Sequence, residues 1–425
     1  MKKLTLLLNI FLFLSAIGFA QTDPSVTSIT VDNSTFAENG GVSTITATIS
    51  AVSPKKVTIP LTITGTADIN TDYSTAFDSK GEYSTVAGGN GRGSANNQFY
   101  ATDFQFVSSE EVYILDNTNS RVMKWKLNEL EGEIVISELN NQWRNSSMSV
   151  DSLGNIYLLD SWNDRVMKWL PGATDGILVA GGNGRGSAYN QFNSAKGMQV
   201  DSSGNIFIVD KDNHRIMKWT PEATEGVVVA GGNGIGSSNN QLTFPSGIYL
   251  DKQGNIFVAD TFNERVMKWE LGATEGILVA GGNGGGFDLN QLFRPRGIDV
   301  DSSGNIFIAD TGNHRIMKWR PEATEGIIVA GGNGDGSAIN QFSYPTVIRL
   351  DSLGNIYVLD SFNPRLQKKQ IASQITIPAG STTGSITFTG IEDTIYDEID
   401  ETIIVTPSTP KKCNISFFRL KNHNN

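Results

Sequence analysis

A repeated stretch decides the fold of this chain, and its clearest copy is residues 204–254, GNIFIVDKDNHRIMKWTPEATEGVVVAGGNGIGSSNNQLTFPSGIYLDKQG. The next two copies begin GNIFVADTFNERVMKWELGATEGILVAGGNGGG and GNIFIADTGNHRIMKWRPEATEGIIVAGGNGDG. In every copy an aspartate closes the apolar run that corresponds to NIFIV in this stretch. These aspartates are Asp116, Asp160, Asp210, Asp260, Asp310 and Asp360. Successive aspartates lie 44, 50, 50, 50 and 50 residues apart. A period of this length indicates a solenoid, a propeller or an array.

Each copy carries four short apolar runs and no helical segment. In one copy the runs are 297–300, 305–309, 314–319 and 326–330. Four short strands per copy predict an all-β fold, a six-bladed β-propeller over residues 79–370. The sixth copy lacks its fourth run, and residues 82–93, EYSTVAGGNGRG, supply one ahead of the first copy. We therefore predict that this N-terminal strand completes the sixth blade, which removes the exposed edges of an open ring.

Two flanking pieces, residues 24–78 and 373–425, alternate apolar and polar residues as half-buried strands do. The predicted strands are 26–31, 43–50 and 57–64 in the first piece, and 374–378, 385–389 and 402–406 in the second. Three strands make an incomplete domain. We predict that the two pieces form one β-sandwich with the propeller inserted between them, because a closed propeller brings its two ends together.

Charge and composition narrow the function classes. The chain of 425 residues has a formal net charge of −11, which argues against a non-specific hold on nucleic acid or an anionic membrane. The single cysteine, Cys413, excludes an internal disulfide. We expect a monomer without a transmembrane segment.

The first 20 residues have the pattern of a secretory signal peptide. Lys2 and Lys3 precede a mostly apolar run over residues 4–14, and the small residues Gly18 and Ala20 follow it. The run is too short to span a bilayer, which needs about 20 residues. We therefore expect export, to a secreted, periplasmic or cell-surface location.

The repeats resemble the NHL family. The segments that carry the resemblance are GNIFVAD followed by NERVMKW and GNIFIAD followed by NHRIMKW, and it extends over about 290 residues. This resemblance also implies a six-bladed propeller.

The flanking pieces resemble one Calx-beta domain, an immunoglobulin-type sandwich, through VTSITVDNSTFAENGG, GTADINTDY and ITIPAGSTTGSITFTGIEDTIYDEIDETIIV. In calcium-binding members of that family, carboxylates cluster at one end of the sandwich. The resemblance implies that the corresponding ligands in this chain are Glu38, Asp72, Asp393 and Glu398. Calcium takes six to eight oxygen ligands, so several carboxylates suit it. The family's last acidic strand is missing, and the tail reads TPKKCNISFFRLKNHNN instead. The alternative is an acidic, solvated loop region that holds no metal.

A D-x-x-N-x-R motif follows the second strand of all six copies. It predicts a turn in which Asp and Asn bond their own backbone and Arg pairs with a carboxylate of the same or an adjacent blade. A site used once does not need six copies, so we interpret the motif as structural. The glycine-rich GGNGxG segments predict tight loops with positive φ.

The tryptophans recur at one position and predict packing between blades. They close the third strand of five blades, at Trp125, Trp169, Trp219, Trp269 and Trp319. Lys369 replaces the tryptophan in the sixth blade.

The three histidines, His214, His314 and His423, argue against catalysis. Two occupy equivalent repeat positions two blades apart, and the third is in the tail, so they cannot supply a zinc centre of two or three histidines. We predict a non-catalytic protein. A metal-dependent propeller lyase or hydrolase remains as an alternative.

Positions that differ between blades are the candidates for a binding surface. They are Trp162, Phe262 and Phe362 in turns, Arg92, Arg185 and Tyr189 in loops, and Lys196, Arg294, Arg296 and Tyr344 near the entry of the first strand. Exposed aromatic residues with arginines are typical of binding hot spots. We predict that this loop face binds a protein or glycan at or outside the cell surface. The alternatives are loop variation without function and a structural or adhesive spacer.

Overall fold

The structure is a computed structural model that describes residues 3–8, 26–32, 35–37, 42–50, 57–65, 73–75, 83–137, 145–352, 354–370, 374–377, 383–390 and 402–407. We number its strands β1 to β33 in chain order. They fall into two compact units, one with the strands of the flanking pieces and one with the strands of the repeats.

The unit of the flanking pieces contains two sheets, ordered β3-β1-β33-β5-β31 and β2-β4-β32-β6. Its strands are β1 (Lys3–Leu8), β2 (Val26–Val31), β3 (Thr35–Ala37), β4 (Val42–Ile49), β5 (Val57–Gly65), β6 (Tyr73–Thr75), β31 (Gln374–Ile377), β32 (Thr383–Gly390) and β33 (Thr402–Pro407). Strands from before and after the repeats pair with each other, since β4 pairs with β32, and β5 pairs with β31 and β33. The assignment of this unit to the Calx-beta family stays a prediction.

The predicted alternation is present in β4, where Ile45, Ala47 and Ile49 are buried and the threonines between them are partly exposed. β1 lies within the predicted signal peptide and pairs with β33 in parallel. The signal peptide itself stays a prediction, and residues 9–20 lie outside the described residues.

The repeats form six antiparallel sheets of four strands each, and these sheets are the blades of the propeller. The first blade consists of β8 (Asp103–Phe106), β9 (Glu111–Asp116), β10 (Arg121–Lys126) and β11 (Glu133–Ile136). The second consists of β12 (Asn145–Val150), β13 (Ile156–Asp160), β14 (Arg165–Trp169) and β15 (Ile177–Gly181). The third consists of β16 (Met198–Val200), β17 (Ile206–Asp210), β18 (Arg215–Trp219) and β19 (Val227–Gly231). Blades four and five are β20 (Ile248–Leu250), β21 (Ile256–Asp260), β22 (Arg265–Trp269) and β23 (Ile277–Gly281); β24 (Pro295–Val300), β25 (Ile306–Asp310), β26 (Arg315–Trp319) and β27 (Ile327–Gly331). Short 3₁₀ helices at Asn117–Asn119, Lys211–Asn213, Thr261–Asn263 and Thr311–Asn313 join second strands to third strands.

The sixth blade confirms the predicted closure. It consists of β28 (Pro345–Leu350), β29 (Ile356–Asp360), β30 (Arg365–Lys369) and, as its outer strand, β7 (Tyr83–Gly88). Leu366 of β30 is opposite Ala87 of β7, and Lys369 is opposite Tyr83. Val86, Ala87 and Leu366 share one core cluster with Trp125 of the first blade. The N-terminal strand therefore completes the last blade and joins it to the first.

The tryptophans pack between blades, as predicted. Trp219 of the third blade is 2% exposed and shares a core cluster with Tyr157 and Leu159 of the second blade. Its ring meets Phe192 edge to face, with ring centroids 5.6 Å apart. In the sixth blade the ammonium of Lys369 lies 5.2 Å from the centre of the Tyr83 ring.

The D-x-x-N-x-R motif is structural, but its hydrogen bonds differ from the predicted ones. The ion pair lies within one blade, with Arg265 Nε 2.8 Å from Asp260 Oδ2. The Asp and Asn side chains mainly bond the preceding loop instead of their own turn: the Thr243 amide donates to Asp260 Oδ1 at 2.6 Å, and Asn263 Nδ2 donates to the Gly236 carbonyl at 2.8 Å. The reason is that this loop folds back over the turn and brings unpaired backbone groups to it, which must be satisfied when buried.

Candidate functional site

One ring of repeat positions surrounds the central channel of the propeller. Its members lie fourteen residues before the aspartate that closes the second strand, as Lys196 does before Asp210. The six members are Thr102, Ser146, Lys196, Ser246, Arg296 and Thr346, and all six line a channel cavity of about 200 Å³. We call them the channel ring.

Three hydroxyl members of the channel ring bond to the turn that follows the second strand of their own blade. Ser246 Oγ lies 2.6 Å from Thr261 Oγ1, and Thr346 Oγ1 lies 2.5 Å from the hydroxyl of Ser361. Ser146 makes the corresponding hydrogen bond with Ser161. Their role is structural, since each hydroxyl satisfies another polar group of its own blade.

Lys196 and Arg296 are the cationic exceptions in the channel ring. Within the part of the chain that the structure describes, neither side chain makes a hydrogen bond or an ion pair. Lys196 is accessible from the channel while protein atoms surround it, and this burial lowers its pKa, as does the positive charge of Arg296. Burial and the nearby charge of Arg294 lower the pKa of Arg296. The channel therefore holds two positive charges that form no hydrogen bond or ion pair among the described residues, although the more distant carboxylate of Asp103 attracts Lys196.

A third cation of the cavity, Arg349, differs because it has a partner. Its Nη2 lies 3.5 Å from Asp103 Oδ1, and Asp103 Oδ2 accepts hydrogen bonds from Ser147 Oγ and the Met148 amide at 2.8 and 2.9 Å. Burial raises the pKa of Asp103, although Arg349 lowers it in part.

Asp299 also faces Arg349, and its Oδ2 accepts a hydrogen bond of 2.7 Å from the Leu350 amide. Burial raises the pKa of Asp299 to about 6, against the opposing effect of Arg349.

Sequence reasoning missed Asp103, Asp299 and Arg349. A signal was available for two of them, because Asp299 and Arg349 occupy one repeat position that holds Gln105, Ser149, Gln199 and Tyr249 in the other blades. Side chains at this position form hydrogen bonds with backbone groups on the inner strand of the neighbouring blade. For example, Gln199 Oε1 accepts a hydrogen bond of 2.8 Å from the Leu250 amide. Such edge groups need partners in any propeller.

Glycine brings neighbouring inner strands close together beside the channel ring. A Cβ atom added to Gly247 would lie 1.8 Å from the carbonyl oxygen of Arg296, a distance that no side chain tolerates. The glycine thus sets the backbone position from which Arg296 enters the channel.

Two clusters of aromatic rings, which we call the aromatic ledges, lie on the loop face. In the first, the His214 and Phe244 rings are 4.7 Å apart, Phe244 and Phe262 are 5.3 Å apart, and the guanidinium of Arg294 lies 5.8 Å from the Phe262 ring. Phe262 is 54% exposed. This geometry leaves apolar ring surface facing solvent.

The second ledge repeats the first two blades further on. His314 and Tyr344 are 4.7 Å apart, Tyr344 and Phe362 are 5.0 Å apart, and the Arg92 guanidinium lies 6.0 Å from the Phe362 ring and 4.2 Å from the Tyr100 ring. Phe362 also lines the channel cavity, so this ledge continues into the channel.

The ledges stand on left-handed backbone. Phe244, Arg294 and Tyr344 have φ of 46°, 52° and 52°, a conformation that costs a residue with a side chain about 1–2 kcal/mol. Histidines help to hold it, since His214 Nδ1 accepts the Phe244 amide and His314 Nδ1 accepts the Tyr344 amide, both at 3.2 Å.

We expect the hydrogen bond accepted by His214 to make stability fall in acid. Burial lowers the pKa of His214 in the folded chain, so the unfolded chain takes up the proton first as pH falls. The stabilisation is present above the unfolded pKa of about 6.5 and is lost as pH falls through the lower folded pKa. Protonation removes the acceptor at Nδ1, a hydrogen bond that contributes about 1 kcal/mol.

The variant His214→Asn isolates this effect, because Asp164 at the same repeat position accepts the Ser194 amide at 3.1 Å through a short side-chain oxygen. Urea unfolding at pH 7 and pH 5 should show a larger loss for the wild-type chain than for the variant. Equal losses would contradict the expectation. Carboxylates with raised pKa values act in the opposite sense in both proteins, so they cancel in the comparison.

The structure places the remaining predicted binding residues away from the channel cavity. Trp162, which is 56% exposed, and Arg185 line a shallow depression, where Arg185 Nε pairs with Asp164 Oδ2 at 3.0 Å. Tyr189 is 57% exposed, and its carbonyl accepts the Gly226 amide at 2.9 Å just before β19. Lys196, Arg296 and Phe362 meet in the cavity, and Arg294, Phe262 and Tyr344 belong to the ledges.

The predicted calcium ligands Glu38, Asp72, Asp393 and Glu398 lie outside the described residues. Among the described residues, no group of three or more His, Cys, Asp or Glu side chains could hold a metal ion. In the same part of the chain, no helix has the length and apolar character needed to cross a membrane.

Comparison with known protein families identifies one blade directly. Residues 294–319 match the model of the NHL repeat. The matched NHL segment spans β24, β25 and β26, and it includes Arg294 and Arg296 of the candidate site. No curated protein sequence matches the chain.

Solved structures show the same fold at low identity. A protein of unknown function from Bacteroides thetaiotaomicron VPI-5482 is similar with a TM-score of 0.51 and 14% identity, covering 81% of this chain and 86% of that one. An auxiliary nutrient binding protein from the same strain has a TM-score of 0.50 and 11% identity, covering 82% and 97%. Streptogramin B lyase has a TM-score of 0.42 and 11% identity, covering 73% and 97%. The first two of these likenesses show a shared fold and do not identify a ligand.

Proposed function

We propose that this chain is an exported, non-catalytic binding protein whose propeller loop face binds a protein or glycan at or outside the cell surface. The observation that carries the proposal is the pair Lys196 and Arg296. Both replace a small hydroxyl residue of a nearly identical repeat, and neither side chain has a partner among the described residues. A charge that makes no structural contact is a candidate for contact with a ligand.

The aromatic ledges support the same proposal. Phe262 and Phe362 are 54% and 53% exposed, and Tyr344 is 40% exposed. Aromatic side chains beside arginines form rigid contact surfaces and are enriched in binding hot spots. The fold shared with an auxiliary nutrient binding protein is compatible with this role.

The test is a binding screen of the purified chain on arrays of defined glycans and extracellular proteins. The double variant Phe262→Ala/Phe362→Ala should lose the signal. Its matched control is Leu271→Ala, which removes an apolar side chain that is 75% exposed in the turn between β22 and β23. Binding that survives in the ledge variant would place the binding surface elsewhere. Turnover of a bound compound, together with tightly held zinc or iron, would favour the lyase or hydrolase alternative.

We also propose that the unit of the flanking pieces is a Calx-beta sandwich with a calcium site at Glu38, Asp72, Asp393 and Glu398. The support is the sequence resemblance together with the pairing of strands from both pieces. Calcium binding to the folded state should raise the melting temperature in a concentration-dependent way. Asp72→Ala and Asp393→Ala should remove that rise, and a melting temperature indifferent to calcium would end the proposal.

Export through the signal peptide would place both units outside the cytoplasm. Processing can be tested by N-terminal sequencing of the chain recovered from the producing cells. Cleavage after Ala20 would give a mature chain that begins at Gln21, whereas a retained Met1 or Lys2 would contradict export by this route.

A further inference from the structure

We infer that the channel mouth is a subsite for a carboxylate-bearing sugar, so that the ligand of the loop face is an acidic glycan containing uronate residues. The inference rests on the proposed function and narrows the ligand class of the same site.

Charge is the first argument. Lys196 and Arg296 are close enough for their charges to interact, and both line the cavity of about 200 Å³. The carboxylate of Asp103 also lines the cavity and attracts Lys196, but with Arg349 the lining carries three cations against this one carboxylate. This positive excess attracts an anion, and fewer water molecules screen charges in a partly enclosed space. The chain as a whole is acidic, with a net charge of −11. A local positive site in an acidic protein selects for an anion, since the remaining surface repels one.

The blades supply an internal comparison. Ser146, Ser246 and Thr346 occupy the same ring position and complete a hydrogen bond within their own blade. The fold therefore accepts a small hydroxyl residue here. The change to Lys196 and Arg296 adds an exposed and a half-buried charge at the channel without adding a hydrogen bond or an ion pair among the described residues, so both charges are available to a ligand.

Size is the second argument. The channel cavity has a volume of about 200 Å³. That space suits one sugar ring and is smaller than the pockets of about 300–1,000 Å³ that hold drug-sized molecules.

The ledges favour a glycan over the carboxyl terminus of a peptide. Phe362 lines the cavity and packs against Tyr344 at 5.0 Å, so aromatic surface begins where the charged site ends. The C–H faces of successive sugar rings can stack on such surface while one uronate carboxylate reaches the cations. A single ligand chemistry then uses both parts of the site.

Arg296 and Lys196 would contribute to carboxylate binding in different ways. The planar guanidinium of Arg296 can hold a carboxylate through two parallel hydrogen bonds, and the ammonium of Lys196 acts as a compact point charge. Each charge-assisted contact is worth about a 10- to 100-fold change in affinity.

The experiment is titration calorimetry of the full chain with uronide trisaccharides of galacturonate, mannuronate and glucuronate, and with the methyl ester of each. The ester keeps the sugar and removes the charge. We expect at least one acid trisaccharide to bind and its ester to bind at least 10-fold more weakly. A tripeptide with a free carboxyl terminus and its amide form the competing arm.

The variants Lys196→Ser and Arg296→Ser restore the residue that Ser246 already places in this ring, so they should fold normally. Each should weaken binding of the acid about 10- to 100-fold and leave the affinity for the ester unchanged. Lys252→Ser, in the exposed turn between β20 and β21, removes the same charge away from the channel and should not affect binding.

Several results would overturn the inference: an ester that binds as tightly as its acid, serine variants that bind normally, no binding of any acid trisaccharide, or binding of the tripeptide acid alone. Failure of the proposed function is distinguishable from these. Neutral glycans or proteins whose binding depends on Phe262 and Phe362 would uphold the binding face while rejecting the uronate subsite. If no glycan or protein on the arrays showed binding that depends on Phe262 and Phe362, the loop face would not be the binding surface.

Discussion

Replacing Asp260 with alanine should lower the free energy of unfolding of the propeller by about 3–5 kcal/mol, the usual cost of leaving a buried charge without its partner. Asp260 is fully buried and Arg265 is 7% exposed, with 2.8 Å between Arg265 Nε and Asp260 Oδ2. Alanine would leave the Arg265 charge uncompensated. It would also free the Thr243 amide and the Asn263 side chain, which both donate to Asp260.

The effect should extend to the loop that precedes the fourth blade. Arg265 donates to the carbonyls of Ser237, Ser238 and Gln241 at 2.7, 3.1 and 3.2 Å, so its position holds that loop. The measurement is urea unfolding followed by tryptophan fluorescence, with hydrogen exchange of the 237–243 amides. We expect a lower urea midpoint and faster exchange in this loop.

Two further variants make this prediction specific. Asp288→Ala removes an exposed carboxylate from the equivalent loop of the next blade and should change the stability by less than about 0.5 kcal/mol. The double variant Asp260→Ala/Arg265→Met removes the stranded charge and should be more stable than the single variant Asp260→Ala, because neighbouring changes are not additive. A midpoint for Asp260→Ala close to that of Asp288→Ala would show that the ion pair does not stabilise the blade.

Changing Val86 to aspartate should open the ring, because β7 is the strand that closes it. Val86 is 2% exposed and belongs to the cluster that contains Leu366 of the sixth blade and Trp125 of the first. A carboxylate placed there loses its hydration without gaining a partner, which costs several kcal/mol. Displacement of β7 would also expose the edge of β30, where Gly88 to Tyr83 now pair with Arg365 to Lys369.

The expected result is a destabilised chain that self-associates, because an unpaired strand edge is a template for pairing with another chain. Size-exclusion chromatography and hydrogen exchange of the β30 amides would detect both effects. Ser84→Asp is the matched control, since Ser84 lies on the exposed face of the same strand. If Val86→Asp remained monomeric, with β30 protected as in Ser84→Asp, then β7 would not be the closing strand in solution.

Much of the propeller was predictable because its information is local and repeated. The spacing of Asp210, Asp260 and Asp310 predicts the blade period, and the surplus strand at Tyr83–Gly88 predicts closure. Six copies of one strand pattern average out the ambiguity of any single copy. The buried tryptophans follow from the same regularity, since a large side chain at every blade interface must pack against the next blade.

The candidate site was predictable only in part. Lys196 and Arg296 stand out against repeat positions that hold serine or threonine, and the ledge aromatics stand out as exposed variable residues. The sequence did not predict Asp103 as a site residue, because it belongs to the first blade, which is the least regular copy. Its partner Arg349 is also 246 residues later in the chain.

The sequence by itself determined the all-β class, the number of blades, the closing strand and the residues that break the repeat, since each of these depends on local pattern and on counting. Only the tertiary structure decided which of those residues meet. It separated Trp162 and Arg185 from the channel, gave Arg349 a partner in Asp103, and left Lys196 and Arg296 without a partner among the described residues. The physical reason is that ring closure brings positions 50 or more residues apart into one channel, where solvation and charge depend on all six blades at once.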